Sequence, residues 1–505
     1  DALAHGGSLS RLGREAAAAY IASGDLERAI TAVEQAGATI YSRMLHSRTD
    51  LSELRKVRPD LAERVSNALV VLNADPRQEA ISHEESEPSP RQLAANRRHA
   101  DAELEDVLAE VRSLGGPWTR FFLAPDVDGL IRVAAHGPIV TVVVSKRRCD
   151  ALVTTVDGVH LLPLPHLTED DAYSQANKFL VATLQLEDHH STPQQKAKAH
   201  RDLSVVCGWL WDVIADPVMV HLGHTEPTVG DEYSKWPRIW WIPTGPLTIL
   251  PIHAAGHHDG GPAVIDRVIS STLPTIGTLL ACRSKPLPEE ESRRSLLVGM
   301  PHTPPDGDQH ISDLPGVTAE VSAIQDRLNA TPCLAFAEGR NGSPRPTKKA
   351  VLEQLLHHAW AHLACHAVTD PSNPTRSVLL LSDHQEDPFT VLDLTSRPSN
   401  VGELLFLSAC TTARTGLGNI DEPVHFAAAA LLAGYRHVIA TLWPVRDKIA
   451  VEVADHIYGT ITKDGHPISW GADDAAIAVH NAVHDQRRTP GTPIYNWASF
   501  VHFGA

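Results

Sequence analysis

The sequence is poor in cysteine, and the few cysteines it has do not form the patterns of secreted or metal-binding proteins. Six cysteines are spread over 505 residues, with no Cys-x-x-Cys pair and no Cys/His cluster at ligand spacing. We therefore expect neither a disulfide framework nor a zinc site, and a reduced, cytoplasmic chain is the better interpretation. Because the sequence also has no dedicated acidic cage for calcium, we predict no metal and no organic cofactor.

Basic residues and long apolar runs are lacking as well. The 44 Lys and Arg are outnumbered by 61 Asp and Glu, which gives a formal net charge of −17. This charge argues against nucleic acid and against an anionic membrane surface as partners. No run reaches the roughly 18 apolar residues of a membrane span, and the N-terminus has no signal-peptide pattern. The chain starts at Asp1 rather than Met, so we expect further sequence before it.

What the sequence does contain is, first, a helical N-terminal region. Apolar residues at helical spacing predict a helical hairpin over 9–46, with Asp25 as the cap of its second helix. Helices are also predicted over 51–73 and 91–113. The hairpin resembles one tetratricopeptide unit, which needs stacked neighbours for stability, and an ordinary helical hairpin is an equally good interpretation.

Strand patterns begin at about residue 138. Runs of β-branched and apolar residues predict strands at 138–144, 151–156 and 238–243. A charged, proline-containing segment at 284–295 marks a domain boundary. Beyond it, short apolar runs alternate with helical patterns, which predicts a mostly parallel α/β sheet with helices on both faces.

Two of these apolar runs end in residues capable of covalent chemistry. Residues 359–366 end in His366, and residues 404–410 end in Cys410. If the two strands are parallel neighbours, both residues lie at the carboxyl edge of the sheet, where α/β sites form. A thiol beside an imidazole can become a thiolate nucleophile at neutral pH. On residue type alone each also has a structural interpretation, because cysteine is among the most buried residues and a histidine is often satisfied in a core.

Four motifs, in this order, resemble the CHAT domain, a caspase-like peptidase domain that is often fused to tetratricopeptide repeats and is related to separase. They are AHLACH at 361–366, SVLLL at 377–381, LSACTTA at 407–413 and AGYRHVIATLWPVRD at 433–447. An upstream motif at 241–254 and the terminal residues 497–505 also fit, so that the resemblance covers about 117–505.

The resemblance implies a fold and a division into domains. The fold is α/β, with a caspase-like, mostly parallel sheet sandwiched by helices and preceded by a degenerate caspase-like half. The helical N-terminus would be the end of a tetratricopeptide array. The expected domains are therefore a helical region at 1–115, a degenerate half at 116–288 and an active peptidase half at 289–505.

The resemblance also implies a clan CD cysteine endopeptidase with a His/Cys dyad. Cys410 is then the nucleophile, and His366 is the general acid and base that protonates the leaving amine. The backbone N–H groups of Cys410 and Ala367 are expected to hold the oxyanion, with Ala367 where caspases often have glycine. Packing or structural roles are expected for His253, His362, Cys365 and Trp443.

Relatives of this type often cut after a basic residue. That preference requires an acid in the pocket for the P1 side chain, the residue before the cut bond. Asp447 is expected there by similarity to separase, and Asp421 and Glu422 are its rivals. An equal alternative for Asp447 is the N-cap of the helix that follows it.

The resemblance finally implies a regulated signalling peptidase that makes limited cuts in a protein substrate, as in immune or cell-death responses. An activating partner or signal at the helical N-terminus would order the loop 411–423. Two alternatives stay open: a non-catalytic scaffold of caspase fold, and a thiol hydrolase that acts on non-peptide amides.

Overall fold

The computed structural model describes residues 6–45, 49–73, 90–121, 126–188, 190–230, 233–285, 294–307, 311–328, 333–335, 345–370, 376–396, 401–409, 426–463, 466–467 and 474–505. The helices in these ranges are α1 (Gly6–Ala22), α2 (Leu26–Leu45), α3 (Thr49–Val57), α4 (Pro59–Asn73), α5 (Pro90–Ser113), α6 (Val127–Val133), α7 (Glu169–Glu187), α8 (Pro193–Leu210), α9 (Asp216–Leu222), α10 (Ile276–Ser284), α11 (Pro315–Leu328), α12 (Lys348–Leu355), α13 (Val391–Ser396), α14 (Phe426–Leu432), α15 (Asp447–Ile461), α16 (Ala475–Arg488) and α17 (Ile494–Trp497).

The strands in the same ranges are β1 (Ile139–Val144), β2 (Cys149–Thr155), β3 (Gly158–Pro163), β4 (Arg238–Pro243), β5 (Ile269–Thr272), β6 (Ser295–Gly299), β7 (Cys333–Ala335), β8 (Trp360–Val368), β9 (Val378–Leu380), β10 (Phe389–Thr390), β11 (Leu404–Ala409), β12 (His437–Thr441), β13 (Thr462–Lys463), β14 (His466–Pro467) and β15 (Phe500–Gly504). β13 and β14 form a small ribbon of their own, and all the others join one sheet.

The N-terminal helices begin and end where the sequence provides caps and breaks. Between α1 and α2, Gly24 has a φ of +80°, and the Asp25 carboxylate accepts the Arg28 N–H at 3.0 Å. The hairpin expected over 9–46 is therefore observed. The single helix expected over 51–73 is instead two helices, because Pro59 starts a new helix at its first position.

The helical hairpin is anchored to the sheet region by two buried charged side chains. Arg14 is 2 % exposed, donates to the Val144 carbonyl at 2.5 Å and lies 3.7 Å from the Glu169 carboxylate. Glu34 is 1 % exposed and accepts the N–H groups of Ile276 and Gly277, at the start of α10, at 2.8 and 2.9 Å. A carboxylate at a helix N-terminus is favourable, but its burial raises the pKa of Glu34 from 4.5 to about 7.

One helical stretch, residues 193–222, is long and apolar enough to cross a membrane by length and composition alone. It consists of α8, a π-helical turn at 211–215, and α9. Of its most apolar window, 61 % is buried inside the protein, as expected for the core helix of a globular domain.

The main sheet is continuous across the two parts that the sequence divides at residue 288. Its order is β10-β9-β8-β11-β12-β15-β5-β4-β1-β2-β3, with β6 beside β8 and β7 beside β6. The C-terminal strand β15 lies between β12 and β5, and it joins the strands β1–β5 (the first half) to the strands β6–β12 (the second half). The sheet is mostly parallel and flanked by helices, as predicted, whereas the domain bounds at 115 and 288 stay predictions.

The two halves of the sheet run in opposite directions. β6, β7, β8, β11 and β12 are parallel to one another, and β12 is antiparallel to β15. β15, β5, β4 and β1 are parallel to one another. The carboxyl ends of the two sets of parallel strands therefore lie at opposite edges of the sheet. A site at the carboxyl ends of β8 and β11 lies at the edge formed by the second half.

Candidate functional site

The strands β8 and β11 are parallel neighbours, in a register that runs from Leu404 beside Trp360 to Ala409 beside Cys365. His366 is the next residue of β8, and Cys410 is the next residue of the chain after Ala409. Cys410 lies outside the described residues, as do Asp421, Glu422 and the loop 411–423. Their roles in the site stay predictions.

His366 is half-buried and is held by a backbone group that sequence reasoning missed. Its Nε2 lies 2.7 Å from the carbonyl oxygen of Ser312, in the segment before α11. Because a carbonyl oxygen only accepts, Nε2 carries the proton and Nδ1 is left as the basic nitrogen of the neutral ring. The segment is held in turn by the Leu314 N–H, which donates to the Pro301 carbonyl at 2.8 Å. A backbone carbonyl carries no residue-type signal, so nothing in the sequence could identify Ser312.

Ala367 follows His366 inside β8, which extends to Val368 and is longer than predicted. Ala367 is paired with Leu379 of the antiparallel strand β9. Its backbone is therefore extended, a conformation that alanine adopts without strain. The substitution of alanine for the glycine common in caspases has no conformational cost at this position.

Asp447 lies near the same edge, but it does not cap its own helix. The N-cap of α15 is Arg446, which makes no side-chain cap hydrogen bond, and Asp447 is the first helical residue. The N-cap interpretation of Asp447 is therefore wrong. Its Oδ2 instead accepts the Gly316 N–H, in the first turn of α11, at 3.0 Å. Asp447 thus satisfies a free N–H group of the neighbouring helix.

Asp447 lines a cleft that opens between α11, α15 and the ends of β8, β11 and β12. Its lining comprises Leu314, Gly316, Val317, Glu320, Cys365, Ser408, Ala409, Thr441, Val445, Asp447, Ala450 and Phe500. Since Cys365 and Ala409 are the residues directly before His366 and Cys410, the cleft reaches the candidate catalytic edge.

Beneath the cleft, His362 belongs to a buried polar group, in keeping with the structural role expected for it. Its side chain is fully buried, with Nε2 3.1 Å from Glu320 Oε1 and Nδ1 3.3 Å from the Tyr458 hydroxyl. Burial raises the pKa of the Tyr458 hydroxyl, which therefore stays protonated.

The other expected packing residues also lie in structural positions. His253, after β4, has Nε2 3.0 Å from the Ala498 carbonyl, and burial lowers its pKa to about 4. Trp443 is fully buried, donates to the Tyr495 carbonyl at 2.7 Å and contacts Phe179 edge-on. Cys365 is buried in the core. In the part of the chain that the structure describes, no group of three or more His, Cys, Asp or Glu side chains is spaced to hold a metal ion.

Comparison with known proteins identifies a family for more than half of the chain. The family model of the CHAT domain matches residues 204–505. No curated protein matches. Among solved structures the chain is similar to separase of Saccharomyces cerevisiae in its complex with securin, with a TM-score of 0.48 and 13 % identity, over 96 % of this chain and 38 % of that one.

Two peptidase structures are also similar to the chain. One is the complex of the pro- and mature domains of Porphyromonas gingivalis RgpB, with a TM-score of 0.37 and 14 % identity, over 58 % of this chain and 69 % of that one. The other is the Arg-specific cysteine proteinase gingipain R, with a TM-score of 0.36 and 10 % identity, over 66 % of this chain and 74 % of that one. The chain spans less than two fifths of the length of separase, at 38 %.

Proposed function

The chain belongs to the CHAT domain family of caspase-like proteases, and we propose that it is a cysteine endopeptidase that cuts a protein substrate after a basic residue. The observation that carries the proposal is the register of β8 and β11. Cys365 and Ala409 are paired, and each is followed directly by a residue of the proposed dyad, His366 and Cys410. If the same register continues by one residue, His366 and Cys410 are neighbours on adjacent strands, which is the arrangement that the dyad requires.

The described geometry supports a division of labour between these groups. The Ser312 carbonyl fixes the proton on Nε2 of His366, so that Nδ1 can take the proton of the Cys410 thiol. The thiolate then attacks the peptide carbonyl, and the backbone N–H groups of Cys410 and Ala367 would stabilise the oxyanion. His366 returns its proton to the leaving amine, and water hydrolyses the resulting thioester.

For the substrate, the cleft beside the dyad supports a basic P1 residue. Asp447 lines this cleft, and its Oδ2 accepts the Gly316 N–H. An arginine or lysine side chain that loses its water in the pocket needs a carboxylate as its ion-pair partner. Asp421 and Glu422 stay rivals for the same role.

The packing of the helical hairpin supports control by an activating partner. α2 packs against α10, α13 and α14 in the sheet region. α14 begins at Phe426, shortly after the loop 411–423 that follows Cys410. A partner that moves α2 would therefore act on an element directly joined to the loop 411–423, and would shift its population toward an active arrangement. Limited cutting in a cytoplasmic signalling response, of an immune or cell-death type, is part of this proposal.

The test is the cleavage of a fluorogenic peptide library, scanned at P1, by wild type, Cys410→Ala and Cys207→Ala. Cys207 is a matched control, because burial raises the pKa of its thiol to about 12 and keeps it unreactive. We expect turnover by wild type and Cys207→Ala, confined to P1 Arg or Lys, and none by Cys410→Ala.

Turnover by Cys410→Ala equal to that of wild type would overturn the peptidase assignment. If no protein turns over any peptide and iodoacetamide does not alkylate Cys410, the proposal also fails, and the chain is a scaffold of caspase fold.

A further inference from the structure

The residue directly before the proposed nucleophile is held by a side chain of the neighbouring strand. The hydroxyl of Thr441, at the end of β12, donates to the carbonyl of Ala409, at the end of β11, at 2.7 Å. Both residues are buried, with 3 % and 5 % of their surface exposed, and both line the cleft beside the candidate dyad. A buried carbonyl needs a hydrogen-bond donor, so the hydroxyl has at least a structural role here.

The carbonyl of Ala409 faces β12 because of the way that β11 is paired. The His437 N–H of β12 donates to the Glu403 carbonyl, just before β11, at 2.9 Å. The Leu404 N–H donates in the opposite direction, to the Ala359 carbonyl just before β8, at 3.1 Å. Successive carbonyls of a central strand alternate between its two neighbours. The carbonyl of Ala409, an even number of residues after Glu403, therefore faces β12 as well.

Thr441 is itself fixed by the strand on its other side. It is paired with Phe500 of β15, and the N–H of the next residue, Leu442, donates to the Ser499 carbonyl at 2.9 Å. Trp443, which follows, is fully buried. The hydroxyl of Thr441 is therefore presented by a backbone that is anchored independently of β11.

The Ala409 carbonyl and the Cys410 N–H are the two ends of one planar peptide group. In a trans peptide group the N–H points opposite to the carbonyl, so a carbonyl held toward β12 directs its N–H toward β8, the strand of His366. We propose that Thr441 is a positioning residue, whose hydroxyl fixes this peptide group so that the Cys410 N–H stabilises the oxyanion. The inference rests on the proposed peptidase function and adds a residue to its machinery.

The charge that this N–H would meet arises in the first chemical step. The Cys410 thiolate forms a C–S bond to the carbonyl carbon of the substrate, and the π electrons of that carbonyl become a negative charge on its oxygen. An N–H that is already oriented stabilises this charge without reorganisation, and removing one such donor lowers kcat roughly 100- to 1,000-fold. A peptide group that can rotate loses part of that benefit, so the hydroxyl should act on the transition state rather than on substrate binding.

The test compares a reaction that needs the oxyanion with one that does not. Peptide cleavage passes through a tetrahedral oxyanion, whereas iodoacetamide alkylates a thiolate by direct displacement of iodide. The measured quantity is the ratio of kcat/KM to the second-order rate constant for alkylation of Cys410, followed by mass spectrometry on the full chain. A folding defect or a less reactive thiol lowers both quantities, so the ratio reports oxyanion stabilisation.

Three variants isolate the hydroxyl. Thr441→Val removes the hydroxyl and keeps the shape of the side chain, and Thr441→Ser keeps the hydroxyl and removes a methyl group. The matched control is Thr244→Val, because the Thr244 hydroxyl donates to the Val142 carbonyl of β1 at the same distance, 2.7 Å, and Thr244 is also buried. Thr244 follows β4, at the opposite edge of the sheet.

We expect Thr441→Val to lower the ratio roughly 10- to 100-fold, through kcat with KM little changed, and Thr441→Ser to stay within about threefold of wild type. Thr244→Val should lower the thermal midpoint and leave the ratio unchanged, because it loses only a structural hydrogen bond. An unchanged ratio in Thr441→Val, or an equal fall in Thr244→Val, overturns the role of Thr441 and leaves the proposed function standing.

Two further results concern the wild type. Alkylation of Cys410 without cleavage of any peptide overturns this inference, because an oriented oxyanion donor would then support no acyl transfer. Failure of both cleavage and alkylation overturns this inference together with the proposed function.

Discussion

Each half of the sheet has a histidine whose Nε2 contacts a backbone carbonyl, one within β8 and the other in the turn at 252–254 that follows β4. In the second half, His366 is half-buried at the strand edge, with Nε2 held by the Ser312 carbonyl. In the first half, His253 follows β4 and binds the Ala498 carbonyl through Nε2. It lines a small cavity with His480 and His502. Burial lowers the pKa values of His253 and His480 to about 4 and about 3.

The difference shows that an anchored tautomer is not sufficient for acid–base chemistry. Both imidazoles have one nitrogen fixed by a backbone carbonyl, but His253 is so poorly solvated that it stays neutral at physiological pH. A general acid must be able to gain and lose a proton near the working pH. In the first half, the imidazole of His253 is therefore available as a hydrogen-bond partner rather than as a general acid.

The largest expected effect separates these two histidines directly. His366→Ala should lower kcat/KM of peptide cleavage about 100- to 10,000-fold, the usual contribution of a general acid and base. His253→Gln should leave kcat/KM nearly unchanged and lower the thermal midpoint, because a buried hydrogen bond is altered. Steady-state kinetics and a thermal melt on the same preparations measure both. An equal loss of activity in His253→Gln would show that the two histidines do not differ in function.

Sequence patterns predicted the elements of the second half better than they predicted how the halves join. The neighbouring strands that end near His366 and Cys410 are short, apolar and buried, which is a strong local signal. β5 has the sequence Ile-Ser-Ser-Thr, which lacks such a signal, and it was missed. Near the C-terminus, β15 is a strand within the sheet, and no local pattern indicates this because its pairing with β12 and β5 is long-range.

In the candidate site too, local sequence patterns do not reveal the contacts that depend on tertiary packing. His366 belongs to a motif and could be predicted, but the Ser312 carbonyl that orients it is a backbone group with no motif. Glu320 has the spacing of any helical glutamate, and only the tertiary packing of α11 over β8 reveals its burial. Asp447 could be named from the family resemblance, but its hydrogen bond with the Gly316 N–H depends on how two helices meet, which no local pattern specifies.

The next effect concerns the buried carboxyl group of Glu34, which joins the helical hairpin to the start of α10. The pKa of Glu34 is about 7 in the folded chain and 4.5 in a model peptide, so the folded state keeps a proton that the unfolded state has lost. The resulting contribution is fully present below pH 4.5 and is lost as the pH rises through 7, a change of about 3 kcal/mol. Glu34→Gln should therefore remove this loss of stability between pH 5 and pH 8.

Amide hydrogen exchange in α2, at pH 5 and pH 8 and corrected for intrinsic rates, measures this change. Glu27→Gln, an exposed position on the same helix, is the matched control and should retain the wild-type pH dependence. A wild-type protection that does not fall with rising pH would show that the hydrogen bonds from Ile276 and Gly277 outweigh the burial of Glu34.

The smallest effect compares two glycines at which an added Cβ would meet its nearest neighbour at the same distance, one in the second half and one in the helical hairpin. A Cβ on Gly316 would lie 2.5 Å from Asp447 Cβ, and a Cβ on Gly37 of α2 would lie 2.5 Å from Thr275 Cγ2. Gly316→Ala should push α11 and α15 apart and break the hydrogen bond to Asp447, which lowers the preference for P1 arginine over citrulline about tenfold. Gly37→Ala should loosen the helical hairpin and leave that preference unchanged.

The ratio of kcat/KM for matched arginine and citrulline substrates tests this pair of variants, because it is insensitive to the fraction of folded enzyme. If Gly37→Ala changes the ratio as much as Gly316→Ala does, the hairpin and the cleft are energetically coupled. Since α2 contacts α14, such coupling would mean that the helical hairpin controls the specificity of the cleft, in addition to any effect on the folding of the chain. An effect confined to Gly316→Ala would instead localise specificity to the contact between α11 and α15.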